Sequence, residues 1–223
     1  MQPFTALKIF APSGWKRCVS LAKTACNSVE FDTMKSHFPI ERSSQTSGYF
    51  VPAIVIIGIS GCGKTTVAQA LAQSIGYHFI DADDYHSQNH KLQMAAGIPL
   101  TDAQRESWID RLGECLQHQQ DISQSCVLAF SGLKRIHRQR LRRAGVPLLF
   151  IFLNTSPTIV AERLEQRKGH FMPASLLSSQ LAALEPPIDE PDVISIDANG
   201  PANAVVDAVL PYVTRCQSSI RMI

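Results

Sequence analysis

The sequence predicts an α/β fold, a doubly wound five-stranded parallel sheet with helical crossovers, and three observations carry that expectation. From Val51 onward, apolar runs of strand length alternate with segments of helical spacing. Several of the runs are apolar at every position, the pattern of strands buried on both faces of a parallel sheet. The first run, Ala53–Ile59, feeds through the glycine-rich stretch Gly58–Thr65 into the first helical segment, as in a strand–loop–helix unit.

The elements follow in order. Thr65–Ile75 places Val67, Ala68, Leu71, Ala72 and Ile75 on one helical face, and Gly76 supplies a C-terminal stop. Tyr77–Asp81 is a short strand. A helix marked by Trp108, Ile109, Leu112, Cys115 and Leu116 is entered through Thr101–Gln104, which has the spacing of a capping box. Cys126–Phe130 is the third strand, and the basic run after it begins a helix. Pro147–Leu153 is the fourth strand. Ser156 then caps a helix with Pro157 at its first position, carrying Ile159, Val160 and Leu164. Leu176, Leu177, Leu181 and Leu184 mark another helix, and Asp192–Asp197 is the last strand. The tail Ala202–Arg215 is amphipathic, with Pro211 expected to kink it.

Composition narrows the function classes. The chain has 223 residues, 45% of them hydrophobic and 18% charged, enough to bury about 70% of its unfolded surface in one core. No stretch approaches the roughly 18 apolar residues of a membrane span. The 21 Lys and Arg against 19 Asp and Glu leave a formal charge of +2, too small for a general nucleic-acid-binding field. The six cysteines form no C-x-x-C pair, so reduced thiols in a cytoplasmic protein are expected rather than a disulfide or zinc framework.

Residues 1–50 differ from the rest. Lys8, Lys16, Arg17 and Lys23 precede the first acidic residue, Glu30, and Ser43–Gly48 has linker composition. A poorly ordered extension is expected, with a transit peptide or initiation at Met34 as alternatives. Residues 51–223 form the expected catalytic domain.

Gly58-Ile-Ser-Gly-Cys-Gly-Lys-Thr65 matches G-x-x-x-x-G-K-[ST] at every fixed position and lies in the required place between strand and helix. This makes the fold that of a P-loop NTPase. The glycines let backbone N–H groups approach a triphosphate, and the helix start adds positive potential. Gly58, Ser60, Gly61, Cys62, Gly63, Lys64, Thr65 and Thr66 are therefore the expected nucleotide-binding residues for ATP. Lys64 reaches the β- and γ-phosphates as a catalytic cation, and the Thr65 hydroxyl ligates Mg²⁺. Cys62 is a small filler.

The acceptor side is read from Asp81-Ala-Asp83-Asp84-Tyr-His86, at the carboxyl end of the second strand, where ligands collect in open α/β sheets. Phosphoryl transfer to an alcohol needs one carboxylate to take the hydroxyl proton and another acidic group to support hydrated Mg²⁺. Asp83 is the expected catalytic base, Asp81 the expected metal support and acceptor contact, and His86 a candidate acceptor ligand. Arg163 and Arg167 share a helix face ahead of Gly169, a pattern suited to a lid that closes over the phosphates. In the run Lys134, Arg135, Arg138, Arg140, Arg142 and Arg143, Lys134 at the helix start points toward the site. Aromatic interleaving is absent, so nucleic acid is not the expected partner.

The motifs now reach a family. Ile54–Pro187 resembles the gluconokinases, the small P-loop kinases that phosphorylate D-gluconate to 6-phosphogluconate. The resemblance rests on Gly58–Thr65; Asp81-Ala-Asp83 with His86; Met94–Asp102 with Arg105 and Trp108; Ser131–Lys134 with Arg138; and Arg167-Lys-Gly-His-Phe171 with Gln180 and Glu185-Pro186. It implies a nucleoside-monophosphate-kinase-like fold with sheet order 2-3-1-4-5, a mobile lid around Arg163–His170, Mg·ATP as phosphoryl donor and a homodimer. It also implies acceptor contacts from Arg105, Lys134, Arg138 and His170. The departures from the family pattern are His90 and Gln93 for a usual Asn and Lys, Ala82 for Gly, Gln104 for Asp, Ser107 for Pro, and Gly132 for Ala. A shikimate-type kinase and a catalytically impaired nucleotide-binding homologue are the alternative readings.

Overall fold

The computed structural model describes residues 53–166 and 174–220. The expected extension, Arg167 and His170 lie outside the described residues. Residues 53–188 and 193–220 belong to one compact unit, and the turn Asp189–Asp192 clusters apart from it.

Five parallel strands form the sheet: β1 (Ala53–Ile57), β2 (His78–Asp81), β3 (Cys126–Ala129), β4 (Leu148–Asn154) and β5 (Val193–Asp197). Their order is β2-β3-β1-β4-β5, as the resemblance implied. β1 is central, pairing Ile54 with Val127 on one side and with Leu149 on the other. Position explains sequence: every residue of β1 and β3 is buried, whereas the outer strands β2 and β5 bury one residue each.

The helices are α1 (Lys64–Ile75), α2 (Gln88–Ala95), α3 (Asp102–Asp121), α4 (Arg135–Arg142), α5 (Pro157–Gln166), α6 (Ala174–Ala183) and α7 (Ala202–Ile220), with a 3₁₀ turn at Ala82–Tyr85. Side chains alternate across a strand. Ala53, Val55 and Ile57 thus join Trp108, Ile109, Leu112 and Leu116 of α3 and Leu141 of α4 in one core cluster. α1 packs against β1, β2 and β3, and also against α7, which runs as a single helix through Pro211.

Local signals behave as the sequence predicts. Gly76 ends α1 in the left-handed conformation, its N–H donating to the Ala72 carbonyl. Thr101 and Gln104 form a complete capping box at the start of α3. α2 is an addition, capped by the Ser87 hydroxyl; it buries no residue and so leaves no apolar stripe in the sequence. Gly132 also acquires a reason: its φ is +54°, and a Cβ there would lie 2.9 Å from Ile57 Cγ2.

Candidate active site

The P-loop joins β1 to α1 and is shaped by its glycines. A Cβ on Gly58 would stand 2.8 Å from Cys62 Sγ and 3.2 Å from the Leu153 carbonyl, so the loop folds tightly against β4 only with glycine there. Cys62 is buried beneath it as filler. Gly63, with φ 102°, caps α1 without a side-chain hydrogen bond, and the first turn holds no acidic residue. The first N–H groups of the helix are therefore left for an anion, as a phosphate cradle requires. Lys64 Nζ crosses the loop and donates to the Ile59 carbonyl at 3.0 Å.

The P-loop and the acidic turn meet at one point. The Thr65 hydroxyl donates to Asp81 Oδ2 at 3.1 Å, while Asp81 Oδ1 accepts the Asp83 N–H at 3.0 Å and so caps the 3₁₀ turn. Among the described residues no group of three or more His, Cys, Asp or Glu could hold a metal alone. A hydroxyl backed by one carboxylate fits Mg²⁺, which keeps several waters and binds through one or two protein oxygens together with substrate phosphates.

Asp83 is held above the ordinary carboxylate range. Desolvation on the cleft floor is the largest cause and the Asp81 charge the next, with Lys64 acting in the opposite direction. Its side chain is 87% exposed, and solvent screening keeps the shift small. His86 stands behind Asp83, its Nε2 4.0 Å from Oδ1, beyond hydrogen-bond length. Its side chain is only 4% exposed and stacks on Trp108 at 4.1 Å between centroids. Burial, reinforced by His90 and Arg105, pushes its pKa down to about 4, so the imidazole is neutral near pH 7. Trp108 Nε1 donates to the Ala82 carbonyl at 2.7 Å, which ties the acidic turn to α3.

At the start of α4, Lys134 binds Asp102 Oδ2 at 2.6 Å. His137 Nε2 lies 3.4 Å from the other oxygen of the same carboxylate. The Lys134 hydrogen bond is the main cause that holds the Asp102 carboxyl below its usual range. Arg105 donates from Nε to the Leu100 carbonyl at 3.3 Å. The basic run pointed to Lys134 and the family resemblance to Arg105, but neither gave Asp102 as the partner of Lys134, a contact that arises from the packing of α3 on α4.

Two of the expected site residues are engaged by backbone carbonyls. Arg138 is 1% exposed, and its guanidinium donates to the carbonyls of Gly132, Leu133 and Glu185. Its position on α4 turns it into the core, where it ties together the chain at Gly132, Leu133 and Glu185. Arg163 donates to the carbonyls of Cys62, Asn199 and Gly200, so it braces the P-loop against the β5–α7 turn. There it lines a cavity of about 310 Å³ with Gly61, Cys62, Gly63, Thr66, Gln166, Gly200 and Pro201, directly beside the phosphate cradle.

The remaining basic run is used within the fold. Arg140 grips Asp110 and Glu106 of α3, and Arg142 lies 4.8 Å over the Phe150 ring.

A P-loop after the central strand, an Asp-x-Asp turn at the end of the neighbouring β2–β3 pair and a five-stranded parallel sheet define a nucleoside-monophosphate-kinase-like phosphotransferase. Comparison with known proteins sharpens that class. A family described as an AAA domain matches residues 54–187. The gluconokinase of Gluconobacter oxydans is 41% identical over 159 residues, covering 71% of this chain and 89% of that protein. A probable gluconokinase of Xenopus tropicalis is 39% identical, covering 73% and 93%. The crystal structure of a gluconokinase from Sinorhizobium meliloti superposes with a TM-score of 0.70 at 37% identity, covering 78% of this chain and 97% of that one. The chain belongs to the gluconokinase family.

Proposed function

We propose that this protein transfers the γ-phosphoryl group of ATP to the 6-hydroxyl of D-gluconate, giving 6-phospho-D-gluconate and ADP. The observation that carries the reading is the junction Thr65–Asp81–Asp83, which joins a phosphate cradle to a carboxylate of raised pKa within a gluconokinase chain. Gly58–Thr66 holds the triphosphate, with Lys64 swinging from the Ile59 carbonyl to the phosphates. Thr65, backed by Asp81, holds Mg²⁺. Bound Mg²⁺ supplies positive charge that offsets the charge moving onto the departing phosphate oxygen.

Asp83 accepts the proton of the attacking hydroxyl as the new O–P bond forms. A raised pKa improves it as a base. Neutral His86 flanks it without cancelling its charge. Arg105 and Lys134, the latter exchanging Asp102 for ligand, supply cations to the sugar acid. Arg167 and His170, outside the described residues, belong to the same proposed set. The protein acts in the cytoplasm as a homodimer; the described cysteines Cys62, Cys115, Cys126 and Cys216 are free thiols, which supports the compartment. No described helix is long and apolar enough to cross a membrane.

A coupled assay of ADP release tests the reading. Turnover that depends on gluconate supports it. Turnover with shikimate alone, or nucleotide binding without turnover, rejects it in favour of the other kinase class or of an impaired homologue.

A further inference from the structure

The connector between α2 and α3, residues 96–101, is gripped by two amide side chains that face each other. Gln104 Nε2 donates to Gln93 Oε1 at 2.8 Å. Gln93 Nε2 donates to the Pro99 carbonyl at 3.1 Å and lies 3.3 Å from Gln104 Oε1, which in turn accepts the Thr101 N–H at 2.9 Å. The pair therefore holds the connector from both flanking helices. The next residue on α3, Arg105, bonds the connector's Leu100 carbonyl, and its positive charge is felt at His86 and His137 on opposite sides of the acceptor cleft.

Gln93 and Gln104 are also two of the departures from the family pattern, where Lys and Asp are usual. The two departures lie in contact, and Gln93 is occupied by Gln104 and the Pro99 carbonyl. An amide pair adds no net charge to the cleft and, unlike an exposed ion pair, is not screened by salt.

We propose that the Gln93–Gln104 pair is the positioning element of the acceptor subsite, an uncharged clamp that fixes the connector and, through Leu100, the Arg105 guanidinium that meets the carboxylate of the sugar acid. This rests on the gluconate reading above. Gln93 and Gln104 act through Arg105 and do not touch the acceptor.

The test uses the full chain with Gln104→Glu as background, because glutamate retains the capping box with Thr101. Adding Gln93→Glu opposes two carboxylates, whereas adding Gln93→Lys forms an ion pair. The Q93E/Q104E protein should raise the gluconate KM by about tenfold, leave kcat and the ATP KM within about twofold, and speed amide exchange across residues 96–104. The Q93K/Q104E protein should restore both KM and exchange, and its amide exchange across residues 96–104 should gain a salt dependence that the parent lacks. An unchanged gluconate KM in Q93E/Q104E, or a parallel loss of kcat, both KM values and thermal stability, overturns the positioning role. Failure of the parent to turn over gluconate overturns the functional reading instead. In that case equal exchange in the two double variants overturns the clamp, and faster exchange in Q93E/Q104E alone supports it.

Discussion

Ser60 donates its backbone N–H to Oε1 of Gln180 at 2.6 Å, a bond between residues 120 positions apart that fastens α6 to the phosphate-binding loop. Helix α6 thus touches the P-loop directly although it lies far from it in the chain. Replacing Gln180 with Leu removes one hydrogen bond of about 1 kcal/mol, which should raise the ATP KM by about three- to tenfold with a smaller effect on the gluconate KM. Steady-state kinetics with each substrate varied in turn reads the difference.

Asp83→Asn should lower kcat by about 10²–10⁴-fold and leave ATP affinity near that of the parent, since the residue handles the acceptor proton and not the phosphate cradle. Isothermal titration with ATP beside the coupled assay separates the two. The same variant should be slightly more stable at pH 7. A carboxyl whose folded pKa lies above 3.8 binds protons more readily in the folded state, so stability falls as pH rises through that window and ionised Asp83 carries a cost at neutrality. The gain in Tm should shrink below about pH 4, and solvent screening of this exposed side chain keeps it small.

His86 imposes the opposite pH trend. Its pKa falls from 6.5 to about 4 on folding, so the stability that goes with the neutral imidazole is complete above about pH 6.5 and is lost as pH drops toward 4. The span corresponds to at most about 3 kcal/mol. Thermal melts between pH 4 and 7 should show a steeper decline in the parent than in His86→Asn, whose stacking on Trp108 is weakened at every pH.

Arg138→Met should destabilise the fold by about 3 kcal/mol or more, because three carbonyls would each lose a charged donor beneath the cleft. Arg138→Lys should recover only part of that, since a single ammonium cannot span the three carbonyls of Gly132, Leu133 and Glu185. Denaturant titration measures both. A loss of gluconate affinity in Arg138→Lys without loss of stability would return this residue to the acceptor.

Arg138 and Arg163 show where sequence reasoning stops. Their charge and their helical spacing are visible in the chain, and both invite a role with anions. Which way a helix faces depends on what packs against it, and α4 turns Arg138 inward while α5 turns Arg163 onto the β5–α7 turn. Gln93 and Gln104 show the same limit from the other side. Each is a lone substitution in the chain, and only the folding of α2 onto α3 makes them partners. By contrast, the P-loop, the Asp81–Asp83 turn and the Thr101 capping box were legible because each is local: a few consecutive residues set the torsions and hydrogen bonds that define them.

By itself, the sequence determined the parallel α/β class, the nucleotide loop, the acidic turn and the family resemblance, since hydrophobic period and short motifs are properties of neighbours along the chain. Tertiary structure alone decided which carbonyls Arg138 and Arg163 bond, which of Asp81 and Asp83 is braced by Thr65, and how Gln180 reaches Ser60. Those outcomes depend on long-range packing, where burial and the demand of every buried carbonyl for a donor choose among side chains that the sequence leaves equivalent.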